Sequence, residues 1–135
     1  MKKTVFFGLL VITFAIGFAG CDFLNGETLT LEGYWDAGVI YYEFIDDTFR
    51  YHHSGKYPIR GTFTSTSTHI TFFPTQYRAF NSESGETEWF DITNISDPAI
   101  QISLPPGPGP VPYIIVRDGG YVMLKVDDGI WFFKQ

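Results

Sequence analysis

The chain has 135 residues, of which 19% are aromatic and 18% are charged, and its net charge is −6. This length allows one domain with a small hydrophobic core. The excess of acidic residues excludes two classes of function: nucleic-acid binding through clustered basic side chains, and electrostatic docking on anionic lipids.

The first residues have the pattern of an export signal. Lys2 and Lys3 precede an apolar run of 15 residues, from Val5 to Ala19. A basic start, a short apolar segment and a small-residue end are typical of a secretory signal peptide, whereas a membrane-spanning helix needs about 20 apolar residues. We therefore predict that residues 1–20 are a signal peptide that is removed. The remaining chain keeps seven basic and 15 acidic residues, a net charge of −8.

The end of this leader resembles the lipobox of bacterial lipoproteins. Phe18, Ala19 and Gly20 stand where the lipoprotein signal peptidase reads the chain, and the single cysteine, Cys21, follows them. The resemblance implies that the Cys21 thiol receives a diacylglyceryl group and that the new amino terminus is acylated, for instance with palmitate. Two or more acyl chains anchor a protein stably, at about 0.8 kcal/mol per buried methylene group.

We therefore expect an exported protein that is lipid-anchored to a bacterial cell-envelope membrane, with the outer membrane or the cell surface favoured over the inner membrane. The alternatives are an ordinary secretory signal beside an unrelated cysteine and an uncleaved membrane helix. Residues 21–29 are predicted to be a lipidated tether and residues 30–135 the folded domain. A lipidated Cys21 leaves no thiol for a disulfide, so aromatic packing has to stabilise this exported domain.

The domain has an all-β pattern, because short apolar and aromatic runs alternate with Gly, Asp, Ser and Pro. A tight turn at Asp46-Asp47 puts two aromatic pairs on one face of a hairpin and an opposite-charge pair on the other. The aromatic pairs are Tyr42 with Tyr51 and Phe44 with Phe49, and the charged pair is Glu43 with Arg50. A slip of one residue would mix the two faces, so this register is well specified.

The next two hairpins continue the same inner face. One turn is predicted at Ser54-Gly55-Lys56, where glycine allows a bulged turn, and another at Thr66-Ser67. The resulting pairs are Tyr51 with Ile59, Phe63 with Ile70 and Gly61 with Phe72. The three hairpins agree on one inner face, which predicts a four-stranded meander over residues 38–74.

The second half of the domain contains shorter strand patterns. Strands are predicted at residues 88–93, 100–104, 113–116, 121–126 and 130–133. The segment 105–112 contains five prolines and is predicted to be an extended loop, because proline cannot donate to a β-ladder. A turn at Asp128-Gly129 places Trp131 and Phe133 on the inner face, beside Leu124 and Val126.

These elements amount to about eight to ten antiparallel strands with mostly short connections. A meander leaves two open edges unless it closes on itself. We therefore predict a small up-and-down β-barrel, with a two-sheet β-sandwich as the alternative.

The start of the first strand, Gly33-Tyr34-Trp35, resembles the Gly-x-Trp signature of the lipocalins, and residues 31–134 look like the small lipocalin-like lipoproteins of bacteria. The resemblance implies a barrel in which Trp35 closes the floor and a basic residue of a late strand packs over it, with Arg117 as the candidate. The alternative is that Trp35 is an ordinary core residue.

The inner aromatic side chains are the candidates for lining a ligand cavity, and they are Tyr42, Phe44, Phe49, Tyr51, Phe63, Phe72 and Trp131. A barrel of this size either fills its interior with side chains or holds one small apolar ligand. The sequence is compatible with both alternatives.

Polar residues give weaker signals for chemistry. Glu86 and Glu88 share a face of one strand and Asp91 lies on the other, so a hydrolase with a carboxylate pair is one hypothesis. His52 and His53 are adjacent, point to opposite faces of a strand and cannot easily share a metal ion. We expect no metal, no cofactor and no catalytic residue.

Three functions therefore compete. The first is a lipid-anchored, non-enzymatic module that binds a small hydrophobic ligand in its barrel. The second is a solid β-module that contacts another protein of the envelope or cell surface, with the proline-rich segment 105–112 as a candidate contact. The third, which the sequence supports least, is a hydrolase. The expected partners are the membrane through Cys21 and either a hydrophobic small molecule or an envelope protein, but not nucleic acid.

Overall fold

A computed structural model describes residues 29–135, in which nine antiparallel strands form one sheet. The strands are β1 (Gly33–Asp36), β2 (Ile40–Ile45), β3 (Thr48–His53), β4 (Ile59–Ser65), β5 (His69–Asn81), β6 (Glu86–Asp91), β7 (Val111–Asp118), β8 (Tyr121–Val126) and β9 (Trp131–Lys134). Eight of them pair in a closed ring, in the order β1-β2-β3-β4-β5-β7-β8-β9, and β9 returns to β1. The predicted all-β, barrel-like fold is confirmed. The leader and Cys21 lie outside the described residues.

The longest strand, β5, belongs both to the ring and to a hairpin outside it. One edge of β5 pairs with β4. On its other edge, His69 and Ile70 pair with Pro112 and Val111 of β7, and residues 76–81 pair with β6. The extended loop predicted at residues 105–112 therefore ends at residue 110, because Pro112 is tolerated at the start of a strand. The connection from β6 to β7 packs back on the barrel, where the Ser103 hydroxyl accepts a hydrogen bond of 3.1 Å from the backbone N–H of Tyr57.

A short helix, α1 (Pro98–Gln101), lies in this connection. The strand predicted at residues 100–104 is therefore wrong. The Asp97 carboxylate accepts a hydrogen bond of 2.9 Å from the backbone N–H of Ala99, and proline follows Asp97 directly. An N-cap aspartate before proline is a helix start signal, and it prevails over the apolar pattern of the segment.

The first two hairpins have the predicted register. Tyr42 lies opposite Tyr51, Phe44 lies opposite Phe49, and Tyr51 also lies opposite Ile59. On the outer face Glu43 and Arg50 form an ion pair of 3.5 Å. The cross-strand pairs visible in the sequence thus set the register of this part of the sheet.

The third hairpin has the predicted inner face but a different register. Its turn lies at Ser67-Thr68, one residue later than predicted, because the Thr66 hydroxyl accepts hydrogen bonds from the backbone N–H groups of Thr68 at 3.3 Å and His69 at 3.1 Å. Phe63 consequently lies opposite Phe72. A shift of two residues conserves the alternation of a strand, so both phenylalanines still point inward.

The last hairpin differs from the prediction by one residue. Leu124 lies opposite Phe132, so Phe132 points inward and Trp131, predicted to line the interior, points outward. The turn is longer than the predicted Asp128-Gly129 turn, because Asp127 has a positive φ of 55° and joins it. A shift of one residue moves every side chain of a strand to the opposite face.

Candidate functional site

The interior of the barrel is the candidate ligand site, and it contains a cluster of aromatic rings in mutual contact. The ring of Tyr42 is central to this cluster. Its centroid lies 4.8 Å from that of Tyr51, 5.6 Å from Phe44, 5.7 Å from Phe72 and 5.0 Å from Phe132. Separations of this size correspond to direct ring contacts, so no ligand-sized space separates Tyr42 from these neighbours.

Six of the seven predicted lining residues come together in this aromatic cluster, and they are Tyr42, Phe44, Phe49, Tyr51, Phe63 and Phe72. The seventh, Trp131, is 39% exposed on the outer surface. Its inner place is taken by Phe132, which is 4% exposed and which sequence reasoning missed. Phe132 could have been predicted to point inward only from the correct length of the turn between β8 and β9, because one extra turn residue reverses the faces of β9.

Trp35 adds the largest fully buried side chain to the core from β1. Its indole Nε1 donates a hydrogen bond of 2.6 Å to the carbonyl oxygen of Leu31. The Nζ of Lys134 lies 5.4 Å from the centre of the ring, within cation–π range. Because β9 pairs with β1, Lys134 lies opposite Trp35. Lys134 is therefore a cation over this ring, and sequence reasoning missed it. The predicted candidate, Arg117, lies on β7 opposite Val122.

Burial disfavours the ionised form of the two tyrosines in the cluster. It raises the pKa of the Tyr42 hydroxyl well above its ordinary value of 10.0, and the proximity of Tyr51 and Asp127 raises this pKa further. Burial also raises the pKa of Tyr51. Both hydroxyls are therefore protonated and uncharged at neutral pH, and the centre of the cluster offers no tyrosinate to a ligand.

The carboxylates considered for hydrolysis lie on the β5–β6 hairpin. The side-chain amide of Asn81 donates a hydrogen bond of 2.9 Å to Glu88. Hydrogen bonds from Ser84 and Asn81 lower the pKa of Glu88. A general acid needs a raised pKa, so this shift has the wrong direction for proton donation. Glu86 is exposed at the start of β6.

Asp91, the third of these carboxylates, belongs to a row of polar side chains on the outside of the barrel. Arg60 donates a hydrogen bond of 2.7 Å to Gln76, and the amide of Gln76 donates one of 2.7 Å to Asp91. The Arg60 guanidinium also lies 4.3 Å from the centre of the Trp89 ring. These contacts link β4, β5 and β6, so they give Asp91 a structural role.

The histidines make local contacts. His52 meets the ring of Tyr41 edge-on at 5.5 Å, and the Nδ1 of His53 lies 3.0 Å from the carbonyl oxygen of Ser54. Within residues 29–135, no group of three or more His, Cys, Asp or Glu side chains is placed to hold a metal ion.

The outside of β8 and β9 carries exposed apolar side chains, which we call the outer aromatic face. Its members are Tyr121, Trp131, Phe133 and, just before β9, Ile130. They line one open groove of about 690 Å³ together with Asp36, Ala37, Gly38, Lys134 and Gln135. The rings of Tyr121 and Phe133 are in edge-to-face contact at 6.0 Å. Exposed aromatic side chains that lie together in a groove are a candidate interaction surface.

No known protein family, curated protein or solved structure matches the chain. In the part of the chain that the structure describes, residues 29–135, no helix has both the length and the apolar character needed to cross a membrane. What the barrel does has to be inferred from the positions and contacts of its own side chains.

Proposed function

We propose that the protein is an exported lipoprotein, anchored in a bacterial envelope membrane through a lipidated Cys21, whose lipocalin-like barrel is a solid, non-enzymatic module for contacts with another envelope protein. The aromatic cluster around Tyr42 is the observation that carries this proposal. It favours contacts at the outer surface over the capture of a small hydrophobic ligand inside the barrel, the other binding function that the sequence suggests.

A ligand inside the barrel would have to displace side chains that already contact one another. Sites for drug-sized ligands have volumes of about 300–1,000 Å³. Tyr42 and Phe72, whose rings stack at 5.7 Å, would have to separate to admit such a molecule. Each lost ring pair costs about 0.5–1.5 kcal/mol beyond the burial of its area, and Tyr42 takes part in four such pairs.

Two surface features offer contact area to a protein partner. From Arg78 onward, β5 pairs only with β6 among the described strands, and Phe80 in this hairpin is 68% exposed. The proline-rich connection at residues 105–110 is the second feature. Proline-rich segments lose little conformational entropy on binding, which suits them to recognition.

The lipid anchor and the non-enzymatic role are two further parts of the proposal, and different observations support them. The lipobox-like Phe18-Ala19-Gly20-Cys21 supports the anchor. The lowered pKa of Glu88 and the hydrogen bond between Gln76 and Asp91 favour structural roles for the carboxylates over acid–base chemistry.

Native mass spectrometry of the full-chain lipoprotein, extracted from its own envelope in detergent, tests the anchor and the filled interior together. A denatured sample and the Cys21→Ser variant are measured alongside. We expect a mass increment of diacylglycerol and fatty acid that survives denaturation and is missing from Cys21→Ser. We expect no further small molecule on the native protein.

Each part of the proposal has its own contradicting outcome. A discrete extra mass of a small molecule that leaves on denaturation would favour a ligand in the barrel and contradict the solid module. A denatured mass equal to that of the polypeptide alone would contradict the lipid anchor. The two results are independent, since one concerns a covalent increment and the other a dissociable one.

A further inference from the structure

We propose that the outer aromatic face of β8 and β9 rests on the headgroup region of the membrane that holds the lipid anchor. The barrel would then lie on its side against the bilayer, with the Glu43–Arg50 ion pair of β2 and β3 turned towards the envelope space. This inference rests on the proposed function, because it needs the anchor at Cys21.

The outer aromatic face exposes aromatic rings at positions where a strand in water usually has polar side chains. Strand alternation turns Tyr121, Trp131 and Phe133 outward, where they are 65%, 39% and 42% exposed. An antiparallel barrel that is surrounded by water ordinarily has polar residues at its outward positions. The outward positions of β2 and β3 are mixed, since Glu43 and Arg50 form an ion pair there and Ile45 on the same face is 49% exposed. The outer aromatic face brings three exposed aromatic rings together on two paired strands.

The side-chain types of the face suit the boundary between lipid and water. Trp and Tyr are enriched at that boundary because each has an apolar ring with one polar group. The Nζ of Lys125 lies 5.8 Å from the centre of the Trp131 ring. A lysine in this position can bury its methylene chain beside apolar groups and keep its ammonium group at the headgroup level.

The path of the chain favours the membrane over a protein as the occupant of this face. Cys21 and Leu29 are eight residues apart, which limits their separation to about 28 Å. The first strand after the tether, β1, lies beside β9, because Lys134 pairs with Trp35 and the backbone N–H of Gln135 donates a hydrogen bond of 3.0 Å to the carbonyl oxygen of Tyr34. The anchor thus holds the strand that carries the face within reach of the bilayer.

The negative charge of the domain determines which lipid headgroups the outer aromatic face can contact. The region after residue 20 carries a net charge of −8, so anionic headgroups would repel it. Contact through tryptophan, tyrosine and phenylalanine needs no anionic lipid, and the face therefore docks on a zwitterionic surface. Phosphatidylcholine vesicles are the matching probe.

Fluorescence quenching tests the inference, because the chain has three tryptophans in different places. Trp35 is buried in the core, Trp89 lies under Arg60 on β6, and Trp131 lies on the outer aromatic face. The full-chain lipoprotein is reconstituted into phosphatidylcholine vesicles whose acyl chains are brominated near the headgroup. The two matched variants, Trp89→Phe and Trp131→Phe, each remove one surface indole and retain an aromatic ring.

We expect brominated lipid to reduce the emission of Trp89→Phe, which keeps the indole on the face, and to leave the emission of Trp131→Phe unchanged. Equal quenching of both variants, or no quenching of either, would overturn the inference. The face would then be covered by a partner protein, a second copy of the chain or water. Flotation of the vesicles separates this failure from failure of the anchor. Protein that floats without selective quenching overturns the inference alone, and protein that does not float overturns the anchor as well.

Discussion

Replacement of Trp35 by alanine is expected to lower the free energy of unfolding of the domain by about 3–5 kcal/mol, the usual cost of truncating a buried tryptophan. The indole ring is fully buried, so its removal leaves a cavity that the closed sheet cannot collapse to fill. The change also removes the 2.6 Å hydrogen bond to Leu31 and the cation–π contact with Lys134. Urea unfolding followed by circular dichroism measures the loss.

The matched control is Trp131→Ala, which truncates the same residue type on the outer surface. We expect this change to cost less than about 1 kcal/mol, because substitutions on exposed surfaces have small effects on stability. Trp35→Phe, which keeps an aromatic ring in the core, is expected to fall between the two and to remain folded. Equal losses for Trp35→Ala and Trp131→Ala would contradict the placement of Trp35 in the core.

The second large effect is expected for Gly61→Ala, which should lower the free energy of unfolding by about 3 kcal/mol, at the upper end of overpacking effects. A Cβ atom at Gly61 would clash with the carbonyl oxygen of Phe73 and would lie 2.9 Å from the Cα of Pro74. Both are backbone atoms, so no side-chain rotation relieves the clash. The register between β4 and β5 shifts at this point, and the two backbones approach closely there.

Thr62→Ala is the control for Gly61→Ala, because Thr62 is the next residue of β4 and points outward to solvent. Its cost is expected to stay within the span of β-propensities, about 1 kcal/mol. Urea unfolding of both variants gives the comparison. A Gly61→Ala variant as stable as the unmodified protein would show that β4 and β5 are not held as close as the structure places them.

The parts of the fold that could be predicted from the sequence are those fixed by cross-strand pairs. Tyr42, Phe44, Phe49 and Tyr51 alternate on two strands around a short turn, and a single register puts all four on one face. A predicted register that is wrong by an even number of residues still assigns each side chain to the correct face, because side chains alternate along a strand. The third hairpin is an example.

Features set by turn geometry or by distant backbone could not be predicted. The positive φ of Asp127 lengthens the last turn by one residue, and this reversed the predicted positions of Trp131 and Phe132. The continuation of β5 through Pro74 was also missed, because proline ordinarily ends a strand. Pro74 is tolerated since it lies opposite Gly61 at the irregularity between β4 and β5.

The sequence predicted which residues contribute to the candidate site, but not whether they enclose a cavity or pack against one another. Six of the seven aromatic residues assigned to the interior contribute to the core, because alternation alone decides which face they occupy. Whether such rings enclose a cavity or fill it depends on the distances between them, which strand patterns do not contain. The partner of Trp35 was missed for a related reason, since only closure of the ring places Lys134 opposite it.

Xenon binding measures the filling of the barrel most directly, because xenon enters apolar cavities that stay free of water. Crystals of the protein are pressurised with xenon, with Phe72→Ala as a positive control that opens a space beside Tyr42, Phe44 and Phe49. We expect a xenon atom within the barrel of Phe72→Ala and none among the rings of the unmodified protein. Xenon bound beside Tyr42 in the unmodified protein would contradict a solid barrel and restore the interior as a ligand site.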